Sequence, residues 1–197
     1  MAGDTNGYAD IFVRDRQTGA TERVSVDSYG NQSNGYSSMP GGCAVSPSIS
    51  SDGRYVVFAS SASNLVAGDT NGYTDIFVRD RQAGSTALVS VDSAGNQANN
   101  ENGSPSMSSD GRYVAFTSSA SNLVASDTNG YYDIFIRDRQ TGATARVSVD
   151  SAGNQGNADS YYTASISADG RYVAFDSYAS NLVPNYTNGT IGDSYVR

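Results

Sequence analysis

In the segment DTNGYAD, Asp4, Asn6 and Asp10 set side-chain oxygens at positions one, three and seven around an Asn-Gly bend. The same spacing returns as Asp69, Asn71, Asp75 and as Asp127, Asn129, Asp133. A small hard cation such as calcium needs several oxygens converging on a tight turn, and alternate oxygen-bearing positions around a glycine supply them. Gly7, Gly72 and Gly130 take the turning role, and the backbone carbonyls of Tyr8, Tyr73 and Tyr131 are expected to complete the shell with water. The pattern is shorter than an EF-hand loop and lacks its bidentate glutamate. The competing account needs no ion: an Asx-turn, in which the Asp and Asn side chains bond nearby backbone amides while Asn-Gly makes the bend. A fourth version, NYTNGTIGD, puts Tyr186 in the first Asp position and inserts Gly192 before Asp193, so no tight ion is expected there.

Other chemistry is thinly represented. The chain has no His and no Trp, and all twelve of its basic residues are Arg, which removes His-based triads, His metal sites, Schiff-base lysines and Walker-type loops. A glycoside hydrolase with a carboxylate pair is the one catalytic reading available. Every suitable Asp, however, occurs in triplicate, whereas catalytic sites are single and asymmetric, so no catalytic residue is assigned. A formal charge of −8 argues against nucleic acid and anionic membranes as partners. No run of 18 apolar residues and no signal-peptide pattern at Met1 are present, so the chain as given is expected to be soluble. The lone Cys43 has no internal disulfide partner. Tyr29, Tyr36, Tyr161, Tyr162 and Tyr178 fall in or beside variable connections, where aromatic rings could stack sugars in a lectin-like manner. The sequons at Asn185 and Asn188 are of the kind that short polar loops produce by chance.

The segments that position these residues repeat. DGRY stands at Asp52, Asp110 and Asp169, offsets of 58 and 59, and VSVDS at Val24, Val89 and Val147, offsets of 65 and 58. The mismatch locates seven extra residues around SSMPGGCAV. Ser104 to Ser119 reads as two β-runs about an Asp-Gly turn, and Asp133 to Ser151 as a second hairpin that turns at Thr141-Gly142 and returns through Val147 and Val149. No stretch shows a 3.6-residue apolar period. The three RDR triplets, at Arg14, Arg79 and Arg137, suit cross-strand or interblade ion pairing. Each unit is predicted to be a four-stranded antiparallel meander, strands a to d, and such sheets, apolar on both faces, stack radially as propeller blades.

PSISSDGRYVVFASSASNLV followed by DTNGYTDIFVRDRQ resembles the TolB-like, PD40 (WD40-like) propeller repeats of bacterial extracellular proteins. The resemblance spans essentially the whole chain and implies an extracellular, secreted all-β propeller with a mostly non-catalytic binding or scaffolding role. It also strengthens the calcium reading of the loops. The expected units are residues 1–46 (strands c and d of a first unit plus the insertion), 47–104, 105–163, and 164–197 (strands a and b plus DSYVR, a truncated strand c). Twelve regular strands make three blade equivalents, fewer than the four to eight that usually close a ring. Either the chain is a segment of a longer propeller, or its terminal a and b strands pair with the c and d strands of another copy, giving a homo-oligomeric ring or a filament.

Overall fold

The computed structural model describes residues 3–37, 46–161, 164–185 and 192–197; Cys43, Tyr162, Tyr186 and Asn188 lie outside them. Among the described residues every regular element is a strand. A two-stranded sheet of β1 (Phe12–Arg14) and β2 (Thr21–Arg23) comes first. Two four-stranded sheets follow: β3 (Ser48–Ile49), β4 (Tyr55–Ser60), β5 (Asp75–Asp80), β6 (Ser85–Leu88), and then β7 (Asn102–Met107), β8 (Tyr113–Ser118), β9 (Asp133–Asp138), β10 (Ala143–Arg146). The last sheet has β11 (Ser165–Ile166), β12 (Val173–Ser177) and β13 (Asp193–Val196). Neighbours in sequence are neighbours in the sheet, and all pairings are antiparallel.

Strand alternation explains how the sheets stack. Successive side chains point to opposite faces, so Val56 and Phe58 of β4 join Ile11 and Val24, which flank β1 and β2, in one apolar cluster. Val57 and Ala59 point the other way, into a second cluster with Val114 and Phe116 of β8. Ala115 and Ile134 then meet Val173 and Phe175 in a third. A core therefore lies between each consecutive pair of sheets, and the middle strands are buried on both faces. The outer strands β6 and β10 alternate buried and exposed.

Three cross-strand aromatic pairs recur in register: Phe58 opposite Phe77, Phe116 opposite Phe135, and Phe175 opposite Tyr195, with ring centroids 6.1, 6.0 and 5.8 Å apart. Burying each such phenylalanine contributes roughly 1.5–3 kcal/mol. The DSYVR segment thus forms a true third strand. Its Arg197 donates to the Asp150 carbonyl of the preceding sheet, as Arg79 does to Asp27 and Arg137 to Asp92.

The Asp-Gly hairpins form as expected. Asp52 Oδ1 accepts from Ser50 Oγ (2.6 Å) and the Arg54 N–H (2.9 Å), and Gly53 takes φ 71°. In the second and third RDR triplets the Asp pairs inside its own sheet, Arg54 with Asp80 and Arg112 with Asp138, both at 2.7 Å. Two details differ from the expectation. β7 begins at Asn102, ahead of the 104/105 boundary, and Ser104 (φ 46°) makes a bulge beside Pro105, whose missing N–H interrupts the ladder. β10 ends at Arg146, so Val147 and Val149 lie beyond the regular strand, Val149 forming an isolated bridge to Gln155.

Candidate functional site

The three acidic loops lie at one end of the sheets, each leading into the third strand position. Asp75 and Asp133 are the first residues of β5 and β9, which buries their carboxylates; Asp10 stands two residues before β1. The Asx-turn is present in all three. Tyr8, Tyr73 and Tyr131 donate their N–H groups to Asn6, Asn71 and Asn129 Oδ1 at 3.2, 3.0 and 3.1 Å. Each Asn thereby turns its amide nitrogen to the second Asp: Nδ2 lies 3.2 Å from Asp10, 2.7 Å from Asp75 and 3.0 Å from Asp133. Of the oxygens at positions one, three and seven, the Asn oxygen is held by backbone. The two carboxylates remain.

A serine from VSVDS anchors the inner carboxylate in each loop. Ser25 Oγ donates to Asp10 (2.6 Å), Ser90 to Asp75 (2.5 Å), and Ser148 to Asp133. The same hydroxyls accept the N–H of the next residue, Ile11, Ile76 or Ile134, so each buried Asp sits in a fixed hydrogen-bonded frame.

The charge on these pairs is handled in two different ways. Arg23 reaches Asp4 (3.3 Å) and Asp10 (3.4 Å), and Arg146 reaches Asp127 (3.3 Å) and Asp133 (3.0 Å). In the middle loop the corresponding position, opposite Phe77 as Arg146 is opposite Phe135, is Leu88. Among the described residues, Asp69 and Asp75 make no ion pair. Burial pushes the Asp75 carboxyl up to about 6, against donation from Ser90 and Asn71, with the charges of Asp69 and Glu101 adding to the rise. Burial also raises Asp69. Asp127 is raised by burial too, but there Arg146 opposes it. The spacing within each acidic loop does not point to these arginines, but the sequence carries their signal elsewhere: the residue before each VSV is Arg23, Leu88 and Arg146.

Among the described residues no three carboxylate or thiol side chains converge as a metal-binding group; the loop acids come in pairs. The rim also carries tyrosines. Tyr8 and Tyr36 meet edge to face at 5.1 Å; Tyr161 lies 6.3 Å from Tyr132 and 5.7 Å from Tyr178, and Tyr29 stands apart, 92% exposed.

By sequence, no family model matches the chain, and no curated protein matches it. Solved structures do. The chain aligns over 98% of its length with tricorn protease, at 16% identity and a TM-score of 0.55, covering 16% of that protein. The fold is that of β-propeller blades. Putative TolB from Agrobacterium tumefaciens (15% identity, TM-score 0.45, 87% of this chain and 62% of that one) is also similar. So is the β-propeller domain of the Trilobed protease from Pyrococcus furiosus (10%, 0.41, 77% and 41%). At these identities the likeness is one of fold, and the chain spans less than two thirds of each of these structures. Successive blades are tied together beside the acidic loops, where Asn64 Nδ2 donates to Gln32 O, Asn122 to Gln97 O, and Asn181 to Gln155 O, at 2.8 to 2.9 Å.

Proposed function

We propose that this chain is a non-enzymatic, extracellular propeller module of the TolB-like, PD40 kind, with a structural role exercised through strand completion by copies of itself. One observation carries the reading: the first blade consists, among the described residues, of β1 and β2 alone. A two-stranded ribbon is marginal in water, and β1 offers an edge to further backbone. The last blade fills the a, b and c positions, its c position taken by β13 along the whole of β12. Pairing of β12 with another copy's β1 therefore exchanges one strand for another, at the cost of the Phe175–Tyr195 contact and the gain of a second strand, β2. Such exchange of equivalent elements is an inexpensive route to oligomers. Light scattering over a range of concentrations tests it: mass at multiples of the 20.6 kDa chain supports assembly, and a single-chain mass at every concentration removes it.

A carbohydrate-binding role is the second reading, favoured by the Tyr132–Tyr161–Tyr178 ring cluster on the loop rim. Stacked aromatic faces suit sugar rings. Because the chain has no Trp, tyrosine fluorescence reports such binding directly, and a glycan array without any hit sinks this reading.

A further inference from the structure

The guanidinium of Arg146 sits in a cradle of four oxygens. It lies 3.3 Å from Asp127 Oδ1, 3.0 Å from Asp133 Oδ2 and 2.8 Å from Gln155 Oε1, and it donates to the Ser126 carbonyl at 2.9 Å. Arg23 is held likewise by Asp4, Asp10 and the Gly3 carbonyl.

The middle loop builds the same frame from Asp69, Asp75, Gln97 and the Gly68 carbonyl. Thr70 N–H donates to Gln97 Oε1 as Thr128 does to Gln155, and Gln97 Nε2 donates to Gly68 O as Gln32 does to Gly3 O. Leu88 ends β6 where the other blades have arginine. Two further features mark this loop. Asp69 has no hydrogen bond or ion pair among the described residues. Asn102, 4% exposed, directs Nδ2 at Asp75 Oδ1 (3.2 Å) while its buried Oδ1 has no partner. Its equivalents, Ser37 and Ser160, are instead bonded to Ser60 and Ser177.

We propose that the middle loop is a calcium site formed by the Asp69 and Asp75 carboxylates with oxygens of Gln97 and Gly68, and that Arg23 and Arg146 stand in for this ion in the flanking loops. The acid pair and a loop carbonyl ligate a positive charge in both neighbouring copies, joined by Gln155 in the third, so a positive charge is what the frame accommodates. The available donors are all oxygens, which selects a hard cation over zinc or copper, and the irregular, partly backbone cradle suits calcium better than the strict octahedron magnesium demands. The bonded Gln97 and Gly68 oxygens each retain a lone pair for the ion. The sequence pattern spreads the metal over three loops; the arginines confine it to one. This inference rests on the loops alone and is independent of the assembly reading.

The test is calorimetric titration of calcium chloride into the full chain stripped with EDTA, alongside thermal melts with and without calcium. Wild type is expected to take one ion per chain with a rise in melting temperature. Leu88→Arg should abolish binding while melting no lower than the stripped wild type, and Asp69→Asn should abolish binding without unfolding. Arg146→Leu, which restores the middle loop's composition in the third, should raise the stoichiometry to two. The proposal is overturned if wild type gives no heat and an unchanged midpoint at millimolar calcium. Equal binding by Leu88→Arg, or three ions per wild-type chain, overturns it as well. Should Arg146→Leu fail to fold, judged by circular dichroism, the Leu88 and Asp69 variants decide.

Discussion

Leu88 lies opposite Phe77 in the register position that Arg146 holds opposite Phe135, so one of three otherwise matching loops lacks its guanidinium. The buried Asp75 carboxylate consequently answers to pH. Its folded pKa, pushed up to about 6 chiefly by burial, exceeds the unfolded value of 3.8, so the protonated form is favoured by folding. That stabilisation is complete below the unfolded value and is lost as pH rises through about 6. Two pKa units correspond to about 3 kcal/mol. In EDTA, denaturant midpoints should fall between pH 4.5 and 7, and Leu88→Arg should flatten the fall.

At lower pH the sign reverses. Arg54 holds Asp80 down to about 2, and Arg112 holds Asp138 below the usual carboxylate range. These depressed acids contribute stability above the unfolded value of 3.8 that is lost as pH falls through the folded one. The double variant Asp80→Asn/Asp138→Asn should be less stable at neutral pH and show a shallower loss between pH 4 and 2, read by circular dichroism during acid titration.

Gly111 and Gly95 separate two costs of adding a methyl group. Both have positive φ, 73° and 90°, where a left-handed alanine costs roughly 1–2 kcal/mol. A Cβ at Gly95 meets nothing within 4 Å, while one at Gly111 falls 2.3 Å from the ring of Tyr55 in the preceding blade. That ring is held between Arg54 and Arg139, 4.7 and 4.5 Å from its centroid, so it has little room to withdraw. Gly111→Ala should lower the denaturant midpoint well beyond Gly95→Ala; equal effects would contradict the stacked arrangement.

Thr144 Oγ1 donates to the Val91 carbonyl of the preceding blade at 2.6 Å, as Thr86 does to Val26 at 2.5 Å. Thr144→Val keeps the shape and strands a buried carbonyl, which costs about 1–3 kcal/mol. The loss should appear in urea melts with an unchanged m-value. Phe116→Ala, by contrast, empties a fully buried ring position and should cost about 3–5 kcal/mol.

The order of strands, the Asp-Gly and Asn-Gly turns, and the two-faced burial of the middle strands were legible in the sequence because they rest on local chemistry. Glycine supplies positive φ, Asx side chains bond their own backbone, and alternation assigns faces. The Asx-turns at Asn6, Asn71 and Asn129 follow from residues two apart. What Asp10, Asp75 and Asp133 face across the blade was not legible, since it depends on the register of the neighbouring strand, which brings Arg23, Leu88 and Arg146 in from thirteen residues further along. A near-identical heptad read three times conceals two electrostatic environments, one closed by arginine and one left without it. Only the pairing of β5 with β6 decided that the middle carboxylates are left without a guanidinium, because charge acts across space and the spacing along a strand is silent about what lies beside it.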